Sequence, residues 1–120
     1  MNEQTVILVV EDEPLLRMAA ADMVENAGFI PVEAANATEA VRILESRLDV
    51  RIVFSDIDMP LGIDGMKLAA LIRDRWPPIE IILVSGHVDP PRVDLPARTL
   101  FFSKPYNEQR VIAALKELAA

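Results

Sequence analysis

Val6-Ile7-Leu8-Val9-Val10-Glu11-Asp12-Glu13-Pro14 decides the fold. Five consecutive apolar residues, four of them β-branched, do not alternate with polar ones. That is how a strand covered on both faces reads. The run breaks into three carboxylates and then a proline suited to the first turn of a helix. Two further runs, Ile52 to Phe54 and Ile81 to Val84, have the same character. All three belong in the middle of a parallel sheet.

Helix-period segments lie between the strands. Over residues 36–48, Ala37, Ala40, Val41, Leu44 and Leu48 fall on one face, and Asn36 with Glu39 forms a capping box. From Pro14, a stripe of Leu16, Ala19, Met23 and Ala27 stops at Gly28. Asp64 caps a helix carrying Leu68, Leu71 and Ile72, closed near Trp76 by Pro77-Pro78. Asn107 caps a last helix with Val111, Leu115 and Leu118. Phe29 to Glu33 contains Pro31 and reads as an edge strand, as does the short stretch Thr99 to Ser103.

Strands alternating with helices predict an α/β fold. Five strands at this length suit a flavodoxin-like parallel sheet, order 2-1-3-4-5, with helices on both faces. At 120 residues the chain is expected to form one domain over residues 1–120. Hydrophobic residues at 52% argue against disorder, and a net charge of −7 argues against direct nucleic-acid or anionic-membrane binding. There are no cysteines, which excludes disulfides and thiolate metal sites. The apolar runs are too short to span a bilayer and the start Met1-Asn2-Glu3-Gln4 is polar, so a cytoplasmic location is expected.

In a sheet of this order, ligands bind beyond the carboxyl ends of the strands where strand order reverses, between the first and third strands. Glu11 and Asp12 leave the first of these strands and Asp56 the third, so at least three carboxylates converge. Like charges so close would raise one another's pKa unless a cation intervened. Oxygen-only ligands select a hard ion, Mg²⁺, with Mn²⁺ as a substitute. Ser85 ends the fourth strand and Lys104 the fifth. Three negative charges are then balanced by the metal and one ammonium. A neutral pocket with a carboxylate nucleophile, a metal and a lysine suits phosphoryl transfer.

Val9 to Pro14, Asp56-Ile57-Asp58-Met59-Pro60, Asp64-Gly65, Ser85-Gly86 and Lys104-Pro105 resemble, in order and across essentially the whole chain, the signature segments of two-component receiver domains (CheY-like). The resemblance implies that Asp56 accepts a phosphoryl group from a sensor histidine kinase or histidine phosphotransfer protein, and that the domain then changes shape to signal to a downstream protein. It implies Mg²⁺ held by Glu11, Asp12, Asp56 and the backbone carbonyl of Asp58. Ser85 would hydrogen-bond the phosphoryl group and Lys104 pair with it; the Lys104–Pro105 bond would be cis. Phe101 falls at the switch aromatic, without a tyrosine hydroxyl. Such a domain takes part in its own phosphorylation and dephosphorylation without being an enzyme.

Simpler readings stand beside these. Glu11 and Asp12 alone would complement a helix dipole, Ser85 alone would be loop punctuation, and Lys104 alone a solvated lysine. The Asp58 side chain reads either as a turn residue or as a group tuning dephosphorylation. His87 reads as an exposed loop residue or a modulator of hydrolysis. An Asp-nucleophile phosphatase of haloacid-dehalogenase type is the enzyme alternative, since Asp56 and Asp58 resemble its aspartate pair; in that family, however, the pair follows the first core strand, whereas here a complete strand with its own acidic pair comes earlier. A non-phosphorylated pseudo-receiver is the binding-module alternative. A Rossmann nucleotide site is disfavoured because no glycine-rich fingerprint follows the first strand. Finally, residues 87–98 hold three prolines, Pro90, Pro91 and Pro96, where receivers usually carry a fourth helix, so a short or irregular helix of about one turn is expected. Phosphorylation would then bias the order of a loop there.

Overall fold

The structure, a computed structural model, describes residues 4–59, 64–87 and 95–120. Strands β1 (Val6–Val10), β2 (Ile30–Ala34), β3 (Val50–Asp56), β4 (Glu80–Ser85) and β5 (Thr99–Ser103) form one sheet in the order β2-β1-β3-β4-β5. Every pairing is parallel. The described helices are α1 (Pro14–Asn26), α2 (Ala37–Ser46), α3 (Gly65–Arg75) and α4 (Glu108–Ala119). This is the flavodoxin-like architecture expected from the sequence.

β1 explains its own composition. Leu8 and Val10 face a core built with α2 and α3, including Ala40, Leu44, Leu68 and Ile72. Ile7 and Val9 face the opposite core, built with α1 and α4, including Met23, Val24, Val111 and Leu115. With a core on each side, no position is left for a polar residue. Truncating one of the larger of these side chains, such as Leu8 or Ile7, to alanine costs about 2–5 kcal/mol, whereas an exposed ion pair such as Arg47–Asp49 is screened by solvent and adds little. The two cores hold the fold.

The caps act as the sequence predicts. Asn36 Oδ1 accepts from Glu39 N at 2.8 Å, Asp64 Oδ1 from Lys67 N at 2.9 Å and Asn107 Oδ1 from Arg110 N at 3.1 Å. Pro31 lies in the edge strand β2, opposite Ile7. Gly28, at φ +98°, takes the left-handed conformation that ends α1.

Two expectations are corrected. Leu48 is not on the buried face of α2 but 94% exposed, because the helix stops at Ser46 and Arg47 is extended, which ends the 3.6-residue period. In α1 the buried residues are Ala20, Ala21, Met23 and Val24; Leu16 and Ala19 are exposed, because they border a groove instead of the sheet. The expectation of an irregular fourth helix falls largely on residues 88–94, outside the described residues; residues 95–98 are loop and turn.

Two arginines fasten the entry to β5. Arg73 of α3 donates to the carbonyls of Ala97 (2.7 Å), Pro77 (2.6 Å), Ile79 (2.8 Å) and Arg98 (3.2 Å). Arg98, at φ +58°, returns its guanidinium to Pro77 O, Pro78 O and Glu80 Oε2. These bonds tie β5 to the loop before β4, which sets the register that carries Lys104 to the sheet end.

Candidate functional site

The sheet register brings the strand ends together. Val10 pairs with Ser55, Asp56 with Val84, and Ser85 with Ser103, so the next residues of β1 and β5 project beyond the same edge as Asp56. Glu11 N bonds Ala34 O, its carbonyl accepts from Arg17 Nη1 at 3.0 Å, and Arg17 also reaches Glu33. Glu13 caps α1 through Leu15 N and Leu16 N. The acidic run is therefore divided: Glu13 serves the helix, while Glu11 and Asp12 remain for the crevice.

Asp56 is buried, at 4% exposure. Its Oδ1 accepts from Asp58 N at 3.1 Å and its Oδ2 from Lys104 Nζ at 3.0 Å. The same ammonium lies 3.5 Å from Glu11 Oε1, and Glu11 Oε2 accepts from Glu13 N at 3.1 Å. Glu11, Asp12 and Asp56 each offer a carboxylate oxygen within 4.8 Å of the others. Burial pushes the Glu11 carboxyl up to about 7, with the charge of Asp56 adding to it against the opposing pull of the Glu13 amide and Lys104. For Lys104, burial works against the ammonium, but the hydrogen bond and charge of Asp56, then of Glu11, outweigh it and raise its pKa. Against the three carboxylates, the Lys104 ammonium supplies one positive charge. All-oxygen donors, close spacing and a carboxyl driven toward neutrality fit a hard divalent cation.

Gly65 sets α3 against this site. A Cβ there would overlap the Asp56 carbonyl oxygen and come within 2.7 Å of Ile57 Cα; Gly65 N also donates to Ile57 O at 3.1 Å. Only glycine lets the helix start this close to the Asp56 backbone.

Ser85 is hydrogen-bonded to Asp58. It is 1% exposed, and its Oγ donates to Asp58 Oδ2 at 2.8 Å. Asp58 Oδ2 also accepts from Gly86 N at 3.2 Å, and Ser85 Oγ accepts from His87 N at 3.0 Å. His87 itself is exposed. The Lys104–Pro105 bond is cis, and Phe101 packs half-buried against the α2–α3 core. The Asp58 carboxylate is the site feature that sequence reasoning left open, since its neighbours come from another strand. Beside the crevice, Leu16, Ala19, Lys104, Pro105, Tyr106 and Glu108 border a groove of about 420 Å³. Tyr106 stands edge-on to Phe54, ring centroids 5.8 Å apart.

Comparison with known proteins agrees with this geometry. Residues 7–116 match the family described as response regulator receiver domain, and the chain belongs to that family. It is 33% identical to the sensor kinase CckA of Brucella abortus (strain 2308) over 98% of this chain and 13% of the relative. It is 30% identical to a putative NtrX-like response regulator of Rickettsia felis over 92% of this chain and 24% of the relative. The chain thus spans less than a quarter of the length of each. Among solved structures it resembles the response regulator protein TrrA of Thermotoga maritima in complex with Mg(2+)-BeF, with 30% identity, a TM-score of 0.84, and coverage of 96% of this chain and 99% of that one.

Proposed function

We propose that Asp56 is the phosphoacceptor of this receiver domain. The observation that carries the reading is a buried carboxylate with Lys104 Nζ at 3.0 Å and the carboxylates of Glu11 and Asp12 gathered beside it. A carboxylate oxygen of Asp56 attacks the phosphorus of a phosphohistidine. The new O–P bond replaces the P–N bond, whose electron pair leaves on the partner's imidazole. Lys104 holds the carboxylate before transfer and pairs with a phosphoryl oxygen after it. Ser85 donates to another phosphoryl oxygen. Glu11, Asp12, Asp56 and the Asp58 carbonyl would hold Mg²⁺, or Mn²⁺ in its place, which supplies neutralisation of charge on the transferring group.

The donor is a sensor histidine kinase or a histidine phosphotransfer protein. It approaches over the exposed side chains Leu15, Leu16 and Met18 of α1 and past Pro105 and Tyr106, which flank Asp56. Three exposed large apolar side chains on one helix turn support a protein partner there. A further protein reads the phosphorylated state; the net charge of −7 gives no support to direct nucleic-acid binding. On the same reading the domain works in the cytoplasm. Among the described residues, no helix is long and apolar enough to cross a membrane.

The experiment is incubation with acetyl phosphate and Mg²⁺. A phosphoryl label that hydroxylamine removes, as it does from an acyl phosphate, is expected at no more than one per chain. Sustained turnover of a generic phosphate ester would instead favour an aspartate-nucleophile phosphatase.

A further inference from the structure

The Ser85 hydroxyl has one proton, and here it is committed. An ionised carboxylate only accepts, so the 2.8 Å contact with Asp58 Oδ2 is donated by Ser85. The same carboxylate oxygen holds Gly86 N at 3.2 Å, and Ser85 Oγ receives His87 N at 3.0 Å. The turn from Ser85 to His87 is therefore gathered on Asp58. At its other end Asp58 is tied to the acceptor, because its backbone N–H donates to Asp56 Oδ1 at 3.1 Å. One residue thus joins the acceptor to the hydroxyl that is to sense it. Charge-assisted bonds to a buried group such as Ser85 are among the stronger ones.

Taking Asp56 as the phosphoacceptor, we propose that Asp58 is a positioning residue whose carboxylate latches Ser85 and the turn at Gly86 in the unphosphorylated arrangement, so that a phosphoryl group on Asp56 must compete with it for the Ser85 proton. The two acceptors are exclusive, since one O–H serves one strong bond at a time. A phosphoryl dianion two residues from Asp58 also repels its carboxylate, so engagement of Ser85 and release of Gly86 are a single exchange. The latch makes the resting state the default and sets how tightly the phosphoryl group must be held to move the turn.

The test uses beryllium fluoride as the phosphoryl probe at saturating Mg²⁺ on the wild type, Asp58→Ala, Asp58→Asn, Ser85→Ala and the Ser85→Ala/Asp58→Ala pair, with amide exchange at Gly86 and His87 in the unliganded proteins. Asp58→Ala is expected to bind the probe about tenfold more tightly and to exchange the Gly86 amide about tenfold faster. Asp58→Asn, whose amide oxygen still accepts both bonds, should keep Gly86 exchange within a few-fold of wild type. On the Ser85→Ala background, the gain in probe affinity from Asp58→Ala should largely disappear. An equal gain on both backgrounds, with Gly86 exchange unchanged by Asp58→Ala, would overturn the latch while leaving Asp56 in place. A wild type that fails to bind the probe at all would overturn the reading of Asp56 itself.

Discussion

Gly65→Ala is the substitution most able to separate the fold's demands from the helix's preferences. On an exposed helix the change is stabilising, by about 0.5–1 kcal/mol. Here the added methyl overlaps the Asp56 carbonyl and lies 2.7 Å from Ile57 Cα. Restoring ordinary contact with the nearer obstacle, the Asp56 carbonyl oxygen, requires the start of α3 to retreat by roughly 1 Å from the end of β3. Both obstacles are backbone, so neither can rotate away. Overpacking of this kind costs about 1–3 kcal/mol. Near the upper end of that range, and after the helix gain is subtracted, about 2 kcal/mol of destabilisation remains. For a domain of this size that is a fall in Tm of about 6–10 °C. Because the displaced backbone belongs to the acceptor, labelling by acetyl phosphate should also slow, by about tenfold. Urea unfolding followed by circular dichroism gives the first number and a labelling time course the second. A variant as stable as wild type, or more stable, would show that α3 can retreat freely, and would refute the argument that close approach is what demands glycine here.

The Glu11 carboxyl, raised to about 7 from an ordinary value of 4.5, fixes the sign of a pH effect. Between those values the folded chain keeps a proton that the unfolded chain has lost, so metal-free stability should fall as pH rises through this window. Mg²⁺ competes with the proton, so its apparent affinity should rise with pH up to about 7, and at ten times Kd it should add about 1.4 kcal/mol of stability. Thermal melts with and without Mg²⁺ at several pH values measure both; Asp12→Ala should abolish the Mg²⁺ effect and Glu11→Ala weaken it. Leu16→Glu, on the exposed rim of the groove, should slow phosphoryl transfer from a histidine kinase at least tenfold while leaving acetyl phosphate labelling within twofold. Equal slowing of both donors would mean that Leu16 supports the fold or the site.

The strand order was legible because β1, β3 and β4 are buried on both faces and so carry unbroken apolar runs, while Pro31 marks β2 as an edge. Glu11, Asp12, Asp56, Ser85 and Lys104 could be picked out because parallel topology sends every strand's carboxyl end to one edge. What periodicity misjudged was direction. Leu16 and Ala19 are apolar at helical spacing yet face a groove and solvent, and Leu48 continues a spacing that the chain has already abandoned. The Arg73–Arg98 fastening was invisible because most of its partners are backbone carbonyls, which no side-chain pattern advertises. The Asp58–Ser85 bond joins residues 27 apart, and only the register of β3 on β4 makes them neighbours.

The measurement that bears most directly on the central claim is intact-mass analysis of the wild type and of Asp56→Asn after incubation with acetyl phosphate and Mg²⁺. The amide keeps the shape of the side chain and can still accept from Asp58 N, so the fold should survive, but it is a poor nucleophile. One added phosphoryl group on the wild type and none on a folded Asp56→Asn is the expected result. Undiminished labelling of Asp56→Asn would contradict the assignment of Asp56 as the acceptor.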